Sequence, residues 1–200
     1  MSMKDLQFPL DFRFKISTLS NDFVATDATG HTVAYVRQKM FKFKEAVNVY
    51  SNESKSELLY SIKANKWLDW SAAYGFTNAS GAQLGKVARK GWKSLWKAQY
   101  LVIDQNNDQQ YKIEEESAFT RFADGLLGEI PVLGFFTSYV FNPVYNVTDM
   151  QGNVVVKLKK NPSFFGRKFV VEKLKDVDQD DKERIMISLM MMILLERNRG

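Results

Sequence analysis

Few side chains in this chain could carry out chemistry of their own. Its 200 residues include no Cys and one His, His31. That removes thiolate nucleophiles, disulfides and Cys-based metal sites, and it leaves any Ser–His–Asp mechanism dependent on a single imidazole. His31 follows Gly30 in a predicted turn, and no Gly-x-Ser-x-Gly elbow presents a nucleophile. Gly81-Ala-Gln-Leu-Gly85-Lys86-Val87 imitates a phosphate-binding loop. It has one residue too few between its glycines, and Val stands where Ser or Thr would hold magnesium. Asp176, Asp178 and Asp180 have the spacing of the first three ligands of a calcium loop. The sixth position is then Asp181 instead of Gly, and the twelfth is Ile187 instead of Glu. Acids just ahead of a helix also suit its N-terminal dipole, so the trio stands only as a candidate metal site. Glu114, Glu115 and Glu116 are consecutive, and on a strand they alternate faces and form no dyad. These residue types point to no enzyme and no cofactor.

The charge pattern says more. The formal net charge is +5, but Gly30 to Lys44, Trp70 to Ile103 and Met150 to Val171 contain fourteen cations and no carboxylate. The compensating acids gather in Asp104 to Glu116 and Asp176 to Glu183. If the three basic stretches meet, they make a positive face that attracts anionic partners; if they do not, they are three solvated strand faces. In the middle stretch Arg89, Lys90, Lys93 and Lys97 accompany Trp92 and Trp96. Cations near an anionic membrane contribute about 1 kcal/mol each, and Trp favours the membrane interface. The alternative reading puts the Trp rings inside the fold and the cations in water, since Trp92 and Trp96 oppose Lys93 and Lys97 in strand parity. A second candidate contact is the Gly-rich apolar segment 125–141, with Leu126, Leu127, Ile130, Leu133, Phe135 and Phe136. Exposed, it is a membrane or partner patch; covering one end of the fold, it is core.

Strands must position these groups. Period-2 alternation recurs in Phe12-Arg-Phe-Lys-Ile16, in Leu58 to Lys63, in Trp96 to Ile103 and in Val154 to Lys159. Asp27-Ala-Thr-Gly30, Asn78-Ala-Ser-Gly81 and Asp149-Met-Gln-Gly152 share one turn template, which Asp104-Gln-Asn-Asn107 follows with Asn for Gly. An apolar residue follows each Gly at plus three and plus six: Val33 and Val36, Leu84 and Val87, Val155 and Leu158. About twelve strands result, in repeated antiparallel hairpins. The segment 117–143 breaks the pattern and reads as a short helix, a turn and a second short helix or strand.

The C-terminus decides the architecture. Ile185 to Leu195 has ten apolar residues in eleven, apolar on every side of a helix. Such a helix must be enclosed, and it is too short to span a bilayer. A barrel of about eight strands is filled by its own side chains, whereas one of about twelve needs a filler. The expected fold is therefore mainly β: a roughly twelve-stranded antiparallel closed barrel around a buried hydrophobic C-terminal helix.

At this point the chain resembles the tubby C-terminal-like superfamily, which includes phospholipid scramblases, and most of all its bacterial LURP-one-related branch. The resemblance rests on Tyr35-Val-Arg-Gln-Lys39, Arg89-Lys-Gly-Trp-Lys-Ser-Leu-Trp-Lys97, Gly125-Leu-Leu-Gly-Glu-Ile-Pro-Val-Leu-Gly134 and Met190-Met-Met-Ile-Leu-Leu-Glu-Arg197. It implies one domain over 1–200 and an association with lipids, phosphoinositides or membranes. Scramblases are also thought to bind calcium just before this helix. The expectation is a non-enzymatic barrel that takes an anionic phospholipid or membrane surface through Arg37, Lys39, Lys42, Lys44, Arg89, Lys90, Lys93 and Lys97. A protein-interaction module or a ligand-holding barrel is the alternative, with nucleic acid a distant third. The start of the chain lacks the apolar run of a signal peptide, so a cytoplasmic location is expected, soluble or peripheral to a membrane. Nothing in the sequence sets the oligomeric state.

Overall fold

The computed structural model describes residues 6–16, 21–39, 46–64, 73–90, 99–116, 143–162 and 168–197. Twelve strands follow one another along the chain: β1 (Leu10–Phe14), β2 (Phe23–Thr26), β3 (Thr32–Lys39), β4 (Ala46–Tyr50), β5 (Leu58–Ala64), β6 (Ala73–Asn78), β7 (Gln83–Lys90), β8 (Gln99–Ile103), β9 (Gln109–Glu115), β10 (Val144–Asp149), β11 (Val154–Asn161) and β12 (Lys168–Lys173). Each pairs antiparallel with its sequence neighbours, and β1 pairs with β12, so the sheet closes into a barrel. Closure leaves no unpaired edge. One helix, α1 (Gln179–Arg197), follows the last strand. The expected architecture is present.

The plus-three and plus-six spacing has a structural cause. In a regular strand two residues three apart face opposite sides. Here each hairpin of the series carries a β-bulge after its turn. Ala25 pairs with Ala34 but Thr26 with Thr32, which leaves Val33 as the extra residue. Leu59, Leu84, Gln110 and Val155 are bypassed in the same way in the next four hairpins. The extra residue resets parity, so Val36, Val87 and Leu158 still reach the core, each fully buried.

The helix fills the interior. Every residue from Arg184 to Leu194 is buried, as a helix apolar on all sides requires. Burying one such Leu, Ile or Met side chain stabilises the fold by roughly 1.5–3 kcal/mol. The helix does not run along the centre; it packs most heavily on β7 and β8. Gly85 permits this approach. A Cβ there would lie 2.3 Å from the Ile103 carbonyl oxygen and 3.2 Å from Arg184 Cδ, at a φ of +137°. The opposite wall compensates in volume. β1 and β2 stand across the barrel from β7 and β8. They supply Phe12, Phe14 and Phe23, whose rings pack at centroid distances of 5.5 and 5.1 Å.

Two sequence readings shift. Ile16 was expected on the inner face of the first strand, but β1 ends at Phe14 and Ile16 is exposed. The strand expected over Trp96 to Ile103 is described from Gln99. The helix–turn reading of 117–143 lies outside the described residues apart from Pro143, which precedes β10.

Candidate functional site: two rims of opposite charge

A closed barrel of sequence neighbours places its connections alternately at two ends. One end, the turn rim, gathers 27–31, 51–57, 78–82, 104–108 and 149–153, and there the chain leaves β12 and enters the helix. These segments and 174–184 hold eleven Asp and Glu against four Lys and Arg. The other end, the far rim, is framed by the ends of β1, β3, β5, β7, β9 and β11 and the starts of the strands that follow them. Its described residues, 13–16, 21–22, 37–39, 62–64, 88–90, 114–116, 159–162, 168 and 196–197, hold eleven Lys and Arg against five Asp and Glu. Strand topology thus brings the flanks of all three basic stretches to one end.

The turn rim is built from one repeated device. Asp27, Asn78, Asp104 and Asp149 each accept two backbone N–H groups, two and four residues on, through one side-chain oxygen at 2.8–3.1 Å. Three residues after each opener comes a positive φ: Gly30, Gly81, Asn107 and Gly152. Hydrogen bonding of the charged form holds Asp27, Asp104 and Asp149 below the ordinary carboxylate range; Thr29, Asp108 and Asn153 respectively make the largest contribution. The helix begins at the same rim. Asp178 accepts the Asp181 N–H at 2.8 Å as its N-cap. The wall donates Tyr60 to Glu183 and Tyr111 to Asp181, and Arg184 pairs with Asp181. Burial nevertheless outweighs these partners and keeps the Asp181 carboxyl above its ordinary value. It also pushes the Tyr60 and Tyr111 hydroxyls well above theirs.

The calcium-like spacing of Asp176, Asp178 and Asp180 does not become a site. Asp178 caps the helix, Asp176 pairs with Lys173 at 2.5 Å and Asp180 points to solvent. Among the described residues no three His, Asp or Glu side chains are grouped as metal ligands. His31 lies exposed in its turn, with Nδ1 2.9 Å from the Thr29 hydroxyl.

Of the eight candidate cations, the structure describes four. Arg37 projects outward from β3, because Ala34, Val36 and Gln38 take the inward positions. Lys39 ends the same strand at the far rim. Lys90 ends β7 and is exposed. Arg89 faces the other way from Lys90. It shares parity with buried Gly85 and Val87 and pairs across the sheet with buried Tyr100, so it enters the barrel mouth. Apolar Val87, two residues earlier on the same strand, was the available signal. Lys42, Lys44, Lys93 and Lys97 lie outside the described residues, as do Leu126, Leu127, Ile130, Leu133, Phe135 and Phe136. Lys159, Lys160 and Lys168, counted in the third basic stretch but not among the eight candidates, extend the far rim's charge around the barrel, as does Lys63, which the sequence reading did not single out. Lys159 pairs with Glu172 and Lys168 with Asp11, whereas Lys63 and Lys160 have no ion-pair partner among the described residues.

Comparison with protein-family models, with curated proteins and with solved structures finds no match for this chain. Among the described residues no helix is long and apolar enough to cross a membrane.

Proposed function

We propose that the protein is a non-enzymatic binding domain that docks through its far rim on an anionic lipid or membrane surface. The observation that carries this reading is the separation of charge along the barrel axis. Among the described residues cations outnumber carboxylates eleven to five at the far rim and are outnumbered eleven to four at the turn rim, the arrangement that orients a molecule against a negative surface. Arg37, Lys63, Lys90 and Lys160 have no ion-pair partner among the described residues, which supports a role for their charge toward such a surface. A ligand-holding barrel is less well supported, because helix side chains occupy the interior that a ligand would need. The proposal includes membership of the LURP-one-related branch and a peripheral, cytoplasmic location. Both rest on the sequence resemblance and on its agreement with the twelve-stranded, helix-filled barrel.

Flotation with phosphatidylcholine vesicles, with and without phosphatidylserine, tests the reading at low and high salt. Binding should need the anionic lipid and weaken as salt screens it. Equal binding to neutral vesicles, or none to anionic ones, overturns it.

A further inference from the structure

We propose that the far mouth of the barrel is a seat for a phosphate-bearing anion, held by the Arg89 guanidinium. This rests on the reading of the far rim as an anion-docking surface and adds where one phosphate sits.

Arg184 and Arg89 point into this barrel near opposite ends, and they are treated differently. Arg184, by the turn rim, is buried and paired with Asp181. Arg89, at the far mouth, has no ion-pair partner among the described residues, and its Nε is out of contact with water without a hydrogen-bond partner. Across the sheet Tyr100 donates its hydroxyl to Glu196, and Arg89 Nε is left without a partner. An unsatisfied guanidinium N–H shielded from water is a standing cost that a bound anion would relieve. The chemistry of that partner follows from the donor. A planar fork of N–H groups matches two oxygens of one phosphate or carboxylate, and phosphate offers more charge and a third oxygen. Arg197, at the helix end, lies with its guanidinium 4.3 Å from the Phe14 ring centroid on the opposite wall, and Lys90 adds positive charge on the outer face of β7; the Glu196 carboxylate, held by Tyr100, is the opposing charge at this end. Arg89 as a whole is only part-buried, so the seat is reachable from outside.

Titration calorimetry of the full chain with sodium pyrophosphate, and flotation with phosphatidylcholine vesicles containing phosphatidic acid, are run on wild type, Arg89→Met, Arg89→Lys and Lys90→Gln. Arg89→Met and Arg89→Lys should both weaken binding by about tenfold or more, as loss of a charge-assisted fork predicts, while Lys90→Gln costs about fivefold or less. Loss in the pyrophosphate arm identifies a free phosphate as sufficient, and loss in the vesicle arm alone identifies a lipid headgroup. Without any ligand, Arg89→Met should unfold at the same temperature as wild type or higher, because it removes an unpaired polar group. A lower unfolding temperature, or failure to fold, makes Arg89 a structural stabiliser of the helix end and overturns the seat. Equal losses for Arg89→Met and Lys90→Gln also overturn it and leave the rim reading standing. Pyrophosphate binding without any vesicle binding keeps the seat and removes the rim reading.

Discussion

The turn rim and the far rim are made by the same twelve strands, yet they use charge in opposite ways. At the turn rim Asp27, Asp104 and Asp149 are consumed by the backbone N–H groups of their own turns, and Asp178, Asp181 and Glu183 are consumed in seating the helix. At the far rim Arg37, Lys63, Lys90 and Lys160 stabilise nothing that the described residues show. The turn rim closes the hairpins and fixes where the helix enters, so its polar groups are committed to the fold. The far rim also holds part of the fold together, through Tyr100–Glu196 and Lys159–Glu172, but these four cations take no part in that among the described residues and can serve something outside the molecule. Loops on a rigid scaffold are where binding residues usually gather.

The largest expected effect comes from the helix that joins the two ends. Met191→Asp puts an unpaired carboxylate among residues fully shielded from water and should cost about 4 kcal/mol or more, enough to prevent folding. Met191→Leu, which keeps volume, should cost less than about 1.5 kcal/mol. Chemical denaturation of both variants separates the two, and an Asp variant of near-native stability would mean that the helix is not enclosed. Next is Gly85→Ala. The added methyl meets the Ile103 carbonyl at 2.3 Å in a backbone region that suits glycine. A loss of about 2–4 kcal/mol follows from strain and overpacking together. The same substitution of an exposed turn glycine, Gly152→Ala, meets nothing within 4 Å and should cost only its positive φ of +87°, about 1 kcal/mol.

The barrel was readable because three independent patterns agreed: strand alternation, a recurring turn and a helix apolar all round. The bulges are present in the sequence as the Val33/Val36 and Leu84/Val87 spacing, but parity arguments assume an unbroken strand and give that spacing no cause. The convergence of cations was not readable from stretches alone. It depends on which end each strand finishes, and that follows only once sheet order is known. Lys160 and Lys63, sixty and more residues apart along the chain, share a rim for this reason alone. Strand parity separates Arg89 from Lys90, so these two cations of β7 face opposite sides of the wall.

The contrast between rims has a direct test in binding against stability. Lys63→Gln, Lys90→Gln and Lys160→Gln should each weaken association with anionic vesicles by about fivefold, the equivalent of about 1 kcal/mol, and leave thermal unfolding unchanged. Asp149→Ala at the turn rim should do the reverse, lowering the unfolding temperature without touching vesicle affinity. If both classes of substitution move both readouts, the division of labour between the ends is wrong.

The smallest expected effect sharpens the same contrast through pH. Asp27, Asp104 and Asp149 have carboxyls held below their ordinary value near 3.8. Groups of this kind bind protons more weakly in the folded chain than in the unfolded one. Their contribution is fully present above about pH 4 and is lost as pH falls through their depressed values. Asn78 shows that an amide oxygen fills the same position in the same turn without titrating. Replacing all three with Asn should therefore preserve the turns and flatten the fall in unfolding temperature between about pH 4 and pH 2, relative to wild type. Gln substitutions at Lys63, Lys90 and Lys160 should leave that slope as it is, because those side chains are protonated throughout the range. An unchanged slope in the Asn variant would show that the acid sensitivity of the barrel does not reside in its turns. The lowered carboxyls would then be a local property of each hairpin and no part of what holds the turn rim together.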